Sequence, residues 1–163
     1  MTPWKAAHPT DLVNAIDTPA LVLDLDAFER NLQRMVEALK GHPVRLRAHA
    51  KSHKCPDIAR RQIALGAIGI CCQKVSEAAV FVEAGINDVL VTNQVVGTAK
   101  LMHLADLARR ARMGVLVDDP LQVMALAEVA RSQGVAIDVY VEIDVGGRRC
   151  GVAPGADAAR LAR

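Results

Sequence analysis

The sequence predicts an α/β fold built on a parallel sheet, and three observations predict it. Short apolar runs rich in Val, Ile and Leu alternate with segments of helical periodicity. Those helical segments repeatedly stop at glycine, at Gly66, Gly85 and Gly134. A helix candidate separates each strand candidate from the next, the crossover that parallel strands require. No G-x-G-x-x-G or Walker sequence opens the series, so the evenly repeated units favour a closed (β/α) barrel over a doubly wound sheet.

The elements follow in order. Residues 1–17 read as an irregular N-terminal arm with Trp4 as an anchor. "TPALVLDLDAFERNLQRMVEALKG" reads as a leading strand and a helix. Asp24 or Asp26 caps that helix, Phe28, Leu32, Met35, Val36 and Leu39 form its apolar stripe, and Gly41 ends it. "VRLRAHA" is the next strand and "PDIARRQIALG" its helix. The pairs "AIGICCQ" with "VSEAAVFVEAG" and "DVLVTN" with "VGTAKLMHLADLARR" repeat the unit. "MGVLVDD" leads to "PLQVMALAEVARSQG", with Pro120 at the helix start. "VAIDVYVEIDVGG" is the last strand, and a further helix begins before the sequence stops.

A barrel of this type needs eight strands and roughly 250 residues. The 163 residues supply the leading strand and five more, about five to six βα units. The expectation is an arm over residues 1–17 and an incomplete barrel over residues 18–163. It would be either the N-terminal part of a longer protein or a piece that pairs with another chain, because an unclosed barrel leaves strand edges open.

Composition narrows the function. Hydrophobic residues make up 52% of the chain, enough for one core, and only one Trp, one Tyr and two Phe are present. The 20 Lys and Arg nearly balance 18 Asp and Glu, which leaves no electrostatic footprint for nucleic acid. No run is long enough to cross a bilayer. Cys55, Cys71, Cys72 and Cys150 have no disulfide-framework spacing, so reduced thiols in a cytoplasmic protein are expected.

Sites in parallel α/β folds form at the carboxyl ends of the strands. Those ends carry Lys51, Gln73, Asn93, Asp118, Glu142 and Asp144. Asp118 reads first as a cap of the helix that follows. Lys51 cannot play that part, because an ammonium accepts no hydrogen bond. A lysine at an apolar strand end loses hydration and can serve as a nucleophilic amine, although a solvated lysine is also compatible with the pattern. His49, His53 and Cys55 around it could ligate a metal, but a strand end and turn fix no ligand geometry. His42 and His103 read as surface positions, and Cys71 and Cys72 as strand core. In "VEIDVGGRRCGV" a glycine turn could bring an arginine back over the strand ends, or leave both arginines in solvent.

"DTPALVLDLDAFERNL", "RAHAKSHKCPDIARRQIALGA", "GICCQKVSEA", "TNQVVG" and "EIDVGGRRCGV" together resemble the D-threonine aldolase and D-serine dehydratase family, fold-type III pyridoxal-phosphate enzymes of the alanine racemase type. The resemblance implies an alanine racemase-like barrel in which Lys51 forms the internal aldimine with pyridoxal 5'-phosphate. It implies that Arg149 lies near the cofactor's pyridine ring, and it matches Gln73 and His53 to motif positions, His53 a candidate base. Glu142 stands where alanine racemases carry a lysine, which speaks against simple racemisation. The implied reaction cleaves a D-β-hydroxy-α-amino acid, a small-molecule D-amino acid substrate, to glycine and an aldehyde. Elimination of water by a dehydratase relative is the alternative, and a non-catalytic partial barrel acting as an interaction module is another. The divalent metal and the homodimer that the resemblance implies belong to the full-length form. No metal ligand is assigned among these residues, and the 163 residues alone are expected to be inactive.

Overall fold

The computed structural model describes residues 7, 8 and 10–163, so the expected anchor Trp4 lies outside the described residues. The chain divides into two compact units, residues 1–38 and 39–163.

In the first unit a short 3-10 turn at Val13–Ala15 precedes helix α1, Leu25–Leu39. Asp24 caps α1, its carboxylate accepting the Ala27 N–H at 2.9 Å. The leading strand expected before this helix does not form. Residues 19–24 join no ladder among the described residues, and Leu21, Val22 and Leu23 are exposed. Apolar alternation favours a strand but does not make one; a strand exists only with a partner to take its N–H and C=O groups.

The second unit holds five parallel strands in sequential order: β1 (Ala48–His49), β2 (Ile70–Cys72), β3 (Asp88–Gln94), β4 (Arg112–Val117) and β5 (Asp138–Val141). Between them run α2 (Pro56–Ala64), α3 (Val75–Glu83), α4 (Thr98–Ala108) and α5 (Pro120–Gln133), and α6 (Ala156–Leu161) follows. A doubly wound sheet reverses its strand order; strictly sequential order is the pattern of a barrel wall. The barrel is not closed in this chain, and β1 and β5 are its free edges.

Local chemistry ends the helices where the sequence indicated. Pro56 and Pro120 sit in the first turns of α2 and α5, and Gly134 is left-handed at the end of α5 (φ 64°). Burial then separates the two faces of the sheet. Val89 and Val91 of β3 and Met113, Val115 and Val117 of β4 are at most 1% exposed and pack with Phe81 of α3, Leu104 and Leu107 of α4 and Leu126 of α5. Each such side chain contributes about 1.5–3 kcal/mol by leaving water. The helix layer therefore holds the sheet together.

The alternate residues line the opposite, inner face in three tiers. Arg47–Asp88 and Arg112–Asp138 ion pairs lie at the amino end. Cys71, Leu90 and Gly114 follow in register, then Leu116 opposite Tyr140, with the Leu90 and Tyr140 side chains close over Gly114. Polar side chains occupy the carboxyl end. Gly69 lies directly against the Asp88 carbonyl and the Arg47 guanidinium. A methyl at Gly69 would press on backbone that cannot turn aside, so Gly69→Ala should destabilise the chain by about 1–3 kcal/mol. Urea unfolding measures this, and an unchanged midpoint would refute the tight packing of this tier.

A candidate cofactor site at the strand ends

The turn after β1 sorts the residues of "HAKSHKCP" into separate jobs. His49 Nδ1 accepts the Lys51 N–H at 3.2 Å, and the Lys54 N–H closes the turn on the Ala50 carbonyl at 2.8 Å. Lys54 takes a left-handed conformation (φ 49°) and pairs its ammonium with Glu77 at 3.1 Å. Glu77 also accepts the Gln73 N–H at 2.9 Å, so one carboxylate ties the β1–α2 turn to the β2–α3 turn. Burial alone would raise the Glu77 carboxyl, but the Gln73 N–H and the Lys54 ammonium hold it below its ordinary value. Lys51 is left exposed, with no ion pair among the described residues. The loss of hydration expected at its strand end is not present in this chain.

His49 and His53 diverge. His49 Nε2 meets Thr92 Oγ1 at 2.9 Å across β2, and Thr92 in turn donates to the Cys72 carbonyl at 3.1 Å. With Nδ1 accepting from Lys51, the network assigns the proton of a neutral imidazole to Nε2. Burial pushes the His49 imidazole down, and the neighbouring Lys51 charge adds to it.

His53 instead packs edge-on against Phe81 of α3, ring centroids 6.4 Å apart, and its Nδ1 accepts the Cys55 N–H at 3.1 Å. Burial lowers this imidazole, outweighing the contacts to Cys55 and to the nearby Gln62 amide. The buried Nε2 makes no bond of normal geometry, to Gln62 or to any other described residue. His53 thus packs toward the helix layer. Among the described residues the one close trio of possible ligands is Asp118, Glu142 and Cys150. Cys71 and Cys72 are core, burial pushing the Cys72 thiol up to about 12.

The remaining strand ends are cross-linked. Gln94 spends both protons of its amide nitrogen on two carboxylates, Asp118 at 3.0 Å and Glu142 at 2.5 Å. It reaches them because β3 slips register between Val91 and Gln94, so that Gln94, not Thr92, stands opposite Leu116. Asn93 stabilises that slip, accepting the Gln94 N–H at 3.1 Å and donating to the Gln73 carbonyl at 3.3 Å. Sequence reading picked out Asn93 and missed Gln94, since it ended the strand at Asn93, whereas two extra residues in β3 carry the ladder on to Gln94. Gln73, half-buried, lines a cavity of about 570 Å³ with Lys74, Asn93 and Lys100.

Asp118 does not cap α5; Asp119 does, accepting the Leu121 N–H at 2.7 Å. Asp118 accepts instead from Gln122, from Gln94 and from the Gly151 N–H at 2.9 Å. The loop before Gly151 is wound on Asp144, which accepts the Arg148 and Gly146 N–H groups at 3.0 and 2.9 Å. Those bonds hold the Asp144 carboxyl below its usual range. Arg149 rides on this loop, exposed. The sheet order thus sets Lys51, Gln73, Gln94, Asp118 and Glu142 at successive strand ends.

The family model described as alanine racemase, N-terminal domain, matches residues 23–163. A D-threonine aldolase of Arthrobacter sp is 52% identical over 157 residues, 96% of this chain and 41% of the relative. A 3-hydroxy-D-aspartate aldolase of Paracoccus denitrificans is 48% identical over 139 residues, 84% of this chain and 36% of the relative. The crystal structure of D-threonine aldolase from Filomicrobium marinum superposes with a TM-score of 0.88 at 64% identity, covering 90% of this chain and 40% of that one. The chain therefore spans about two fifths of the length of the relatives it matches.

Both lowered imidazoles give a pH dependence. The folded chain holds His49 and His53 neutral, so on acidification the unfolded chain binds protons first. Their contribution to stability is complete above about pH 6.5 and is lost as pH falls through the lower folded values. The urea midpoint should drop between about pH 7 and about pH 5, and His49→Gln with His53→Gln should flatten that slope. Equal wild-type midpoints at both pH values would contradict it.

Proposed function

The chain belongs to the alanine racemase N-terminal-domain family, and on that premise we propose that it is the cofactor-anchoring part of a pyridoxal-phosphate-dependent lyase acting on D-β-hydroxy-α-amino acids. The observation that carries the reading is the state of Lys51. An aldehyde needs a primary amine that is not already engaged, and this turn ties down Lys54 and leaves Lys51 unpaired at a strand end. The residues fit the group in a second way: a guanidinium keeps its proton, so Arg149 beside the ring nitrogen would leave that nitrogen unprotonated.

When bound, pyridoxal phosphate supplies a conjugated ring that draws the electron pair released at the substrate's Cα. The chain's own residues supply position. His49, neutral, orients the backbone of Lys51 and is itself held by Thr92. Gln73 is assigned to the cofactor's surroundings, its backbone fixed by Glu77 and Asn93. The chain is 48–52% identical to the two aldolases of Arthrobacter and Paracoccus against 38% to a D-threo-3-hydroxyaspartate dehydratase of Delftia sp., which favours carbon–carbon cleavage to glycine and an aldehyde over loss of water. The divalent metal implied for the longer protein gains no converging ligand set from His49, His53 and Cys55, and no role is assigned to these residues in holding it.

Borohydride reduction of the purified chain with pyridoxal phosphate, followed by peptide mass mapping, tests the reading. Stoichiometric label on Lys51, with Lys54 and Lys74 unlabelled and with no label in Lys51→Ala, is the expected result. Label scattered over many lysines, or none, would overturn it.

A further inference from the structure

We infer that Asp118 is the positioning residue for the arginine-bearing loop: its carboxylate, shared with Gln94, fixes the backbone at Gly151 and thereby the place of Arg149. The last step, from a fixed loop to a cofactor-facing Arg149, rests on the reading proposed above; the loop-holding step does not.

Three observations carry it. Asp118 accepts from three different elements at the strand ends: Gln122 of α5 at 3.2 Å, Gln94 of β3 at 3.0 Å and the Gly151 N–H at 2.9 Å. All of these partners are donors, so the site requires an acceptor at both oxygens. The Gln122 side chain also accepts the Asp118 N–H at 3.1 Å, which fixes the orientation of the Gln122 amide and prevents it from turning to suit a donor.

The backbone around Gly151 is built for close approach. A Cβ there would lie 2.6 Å from the Asp144 nitrogen and 2.8 Å from the Ile143 carbonyl carbon, at φ +100°. Reciprocal bonds lock the two ends of the loop, Asp144 N–H to the Val152 carbonyl and Val152 N–H to the Glu142 carbonyl, both 2.9 Å. Asp118 is thus a side-chain bolt, reaching in from β4, on a loop whose ends are closed by backbone. Arg148 and Arg149, between the bolted ends, are exposed and within reach of a protease.

Those two arginines report on the loop. Trypsin cleavage at Arg148 and Arg149 should rise about tenfold in Asp118→Ala, because cleavage follows the population of the opened loop and a charge-assisted bond is lost. Cleavage at Arg109 and Arg110 serves as the internal reference. Asp118→Asn can still offer its one oxygen to Gly151 and Gln94 while its Nδ2 meets the Gln122 donor, so it should lower stability but keep most of the loop's protection. Gln122→Ala removes the α5 partner and leaves the Gly151 bond, so it should lower stability without exposing the loop. The pH dependence of bound-cofactor absorbance should also shift in Asp118→Ala, a change that a merely structural role would not produce. Wild-type cleavage rates in Asp118→Ala, cleavage in Gln122→Ala as fast as in Asp118→Ala, or an unshifted cofactor profile would each overturn the inference. If the wild-type chain binds no pyridoxal phosphate, the cofactor reading fails by itself, and the cleavage comparison still decides whether Asp118 holds the loop.

Discussion

The arrangement depends on the in-step register of parallel strands. Because Leu90 stands opposite Gly114 and Leu116 opposite Tyr140, residues of one parity face the helices and residues of the other face inward at every strand. The consequence is a sorting by chemistry. Val89, Val91, Met113, Val115 and Val117 meet the helix layer, while charged, apolar and polar tiers succeed one another along the inner face. A slip of one residue would exchange the two faces and bury carboxylates against Phe81 and Leu104. The cost of such a slip is what keeps the polar ends of all five strands on one side.

Lys51 owes its availability to its neighbours. In a segment dense with cations and imidazoles, Glu77 draws Lys54 away, Phe81 takes His53, and Thr92 holds His49 with its Nδ1 turned to the Lys51 backbone. The neutral state of His49 matters here, since an imidazolium would set a second donor against the Lys51 N–H. On the other side of the strand ends the loop bearing Arg149 is secured to Asp118 at Gly151. Lys51 and Arg149 thus sit on turns that carboxylates hold, one by an ion pair and one by a hydrogen bond.

Much of this was legible in the sequence, for reasons that are local. Pro56, Pro120, Gly66, Gly85 and Gly134 punctuate helices by their own backbone preferences, and Asp24 caps α1 by reach alone. The singularity of Lys51 followed from what an ammonium cannot do. The errors arose where distant partners decide. Residues 19–24 alternate like a strand but have no ladder to join. The packing of His53 on Phe81 is likewise a tertiary contact that spacing does not announce. Asp118 looked like a cap, and the next residue, Asp119, takes that role. Gln94 was missed because two extra residues in β3 carry the ladder past Asn93, where the apolar run had suggested the strand ends.

If the inner carboxyl end of the sheet is where this chain meets its cofactor, the amides there must respond to it. Heteronuclear NMR of the labelled chain, titrated with pyridoxal phosphate, tests this most directly. The expected result is perturbed amides concentrated at His49, Lys51, Thr92, Gln94 and Gly151, with the helix layer unmoved. Shifts centred on Lys74 and Lys100, or scattered over exposed lysines, would contradict it.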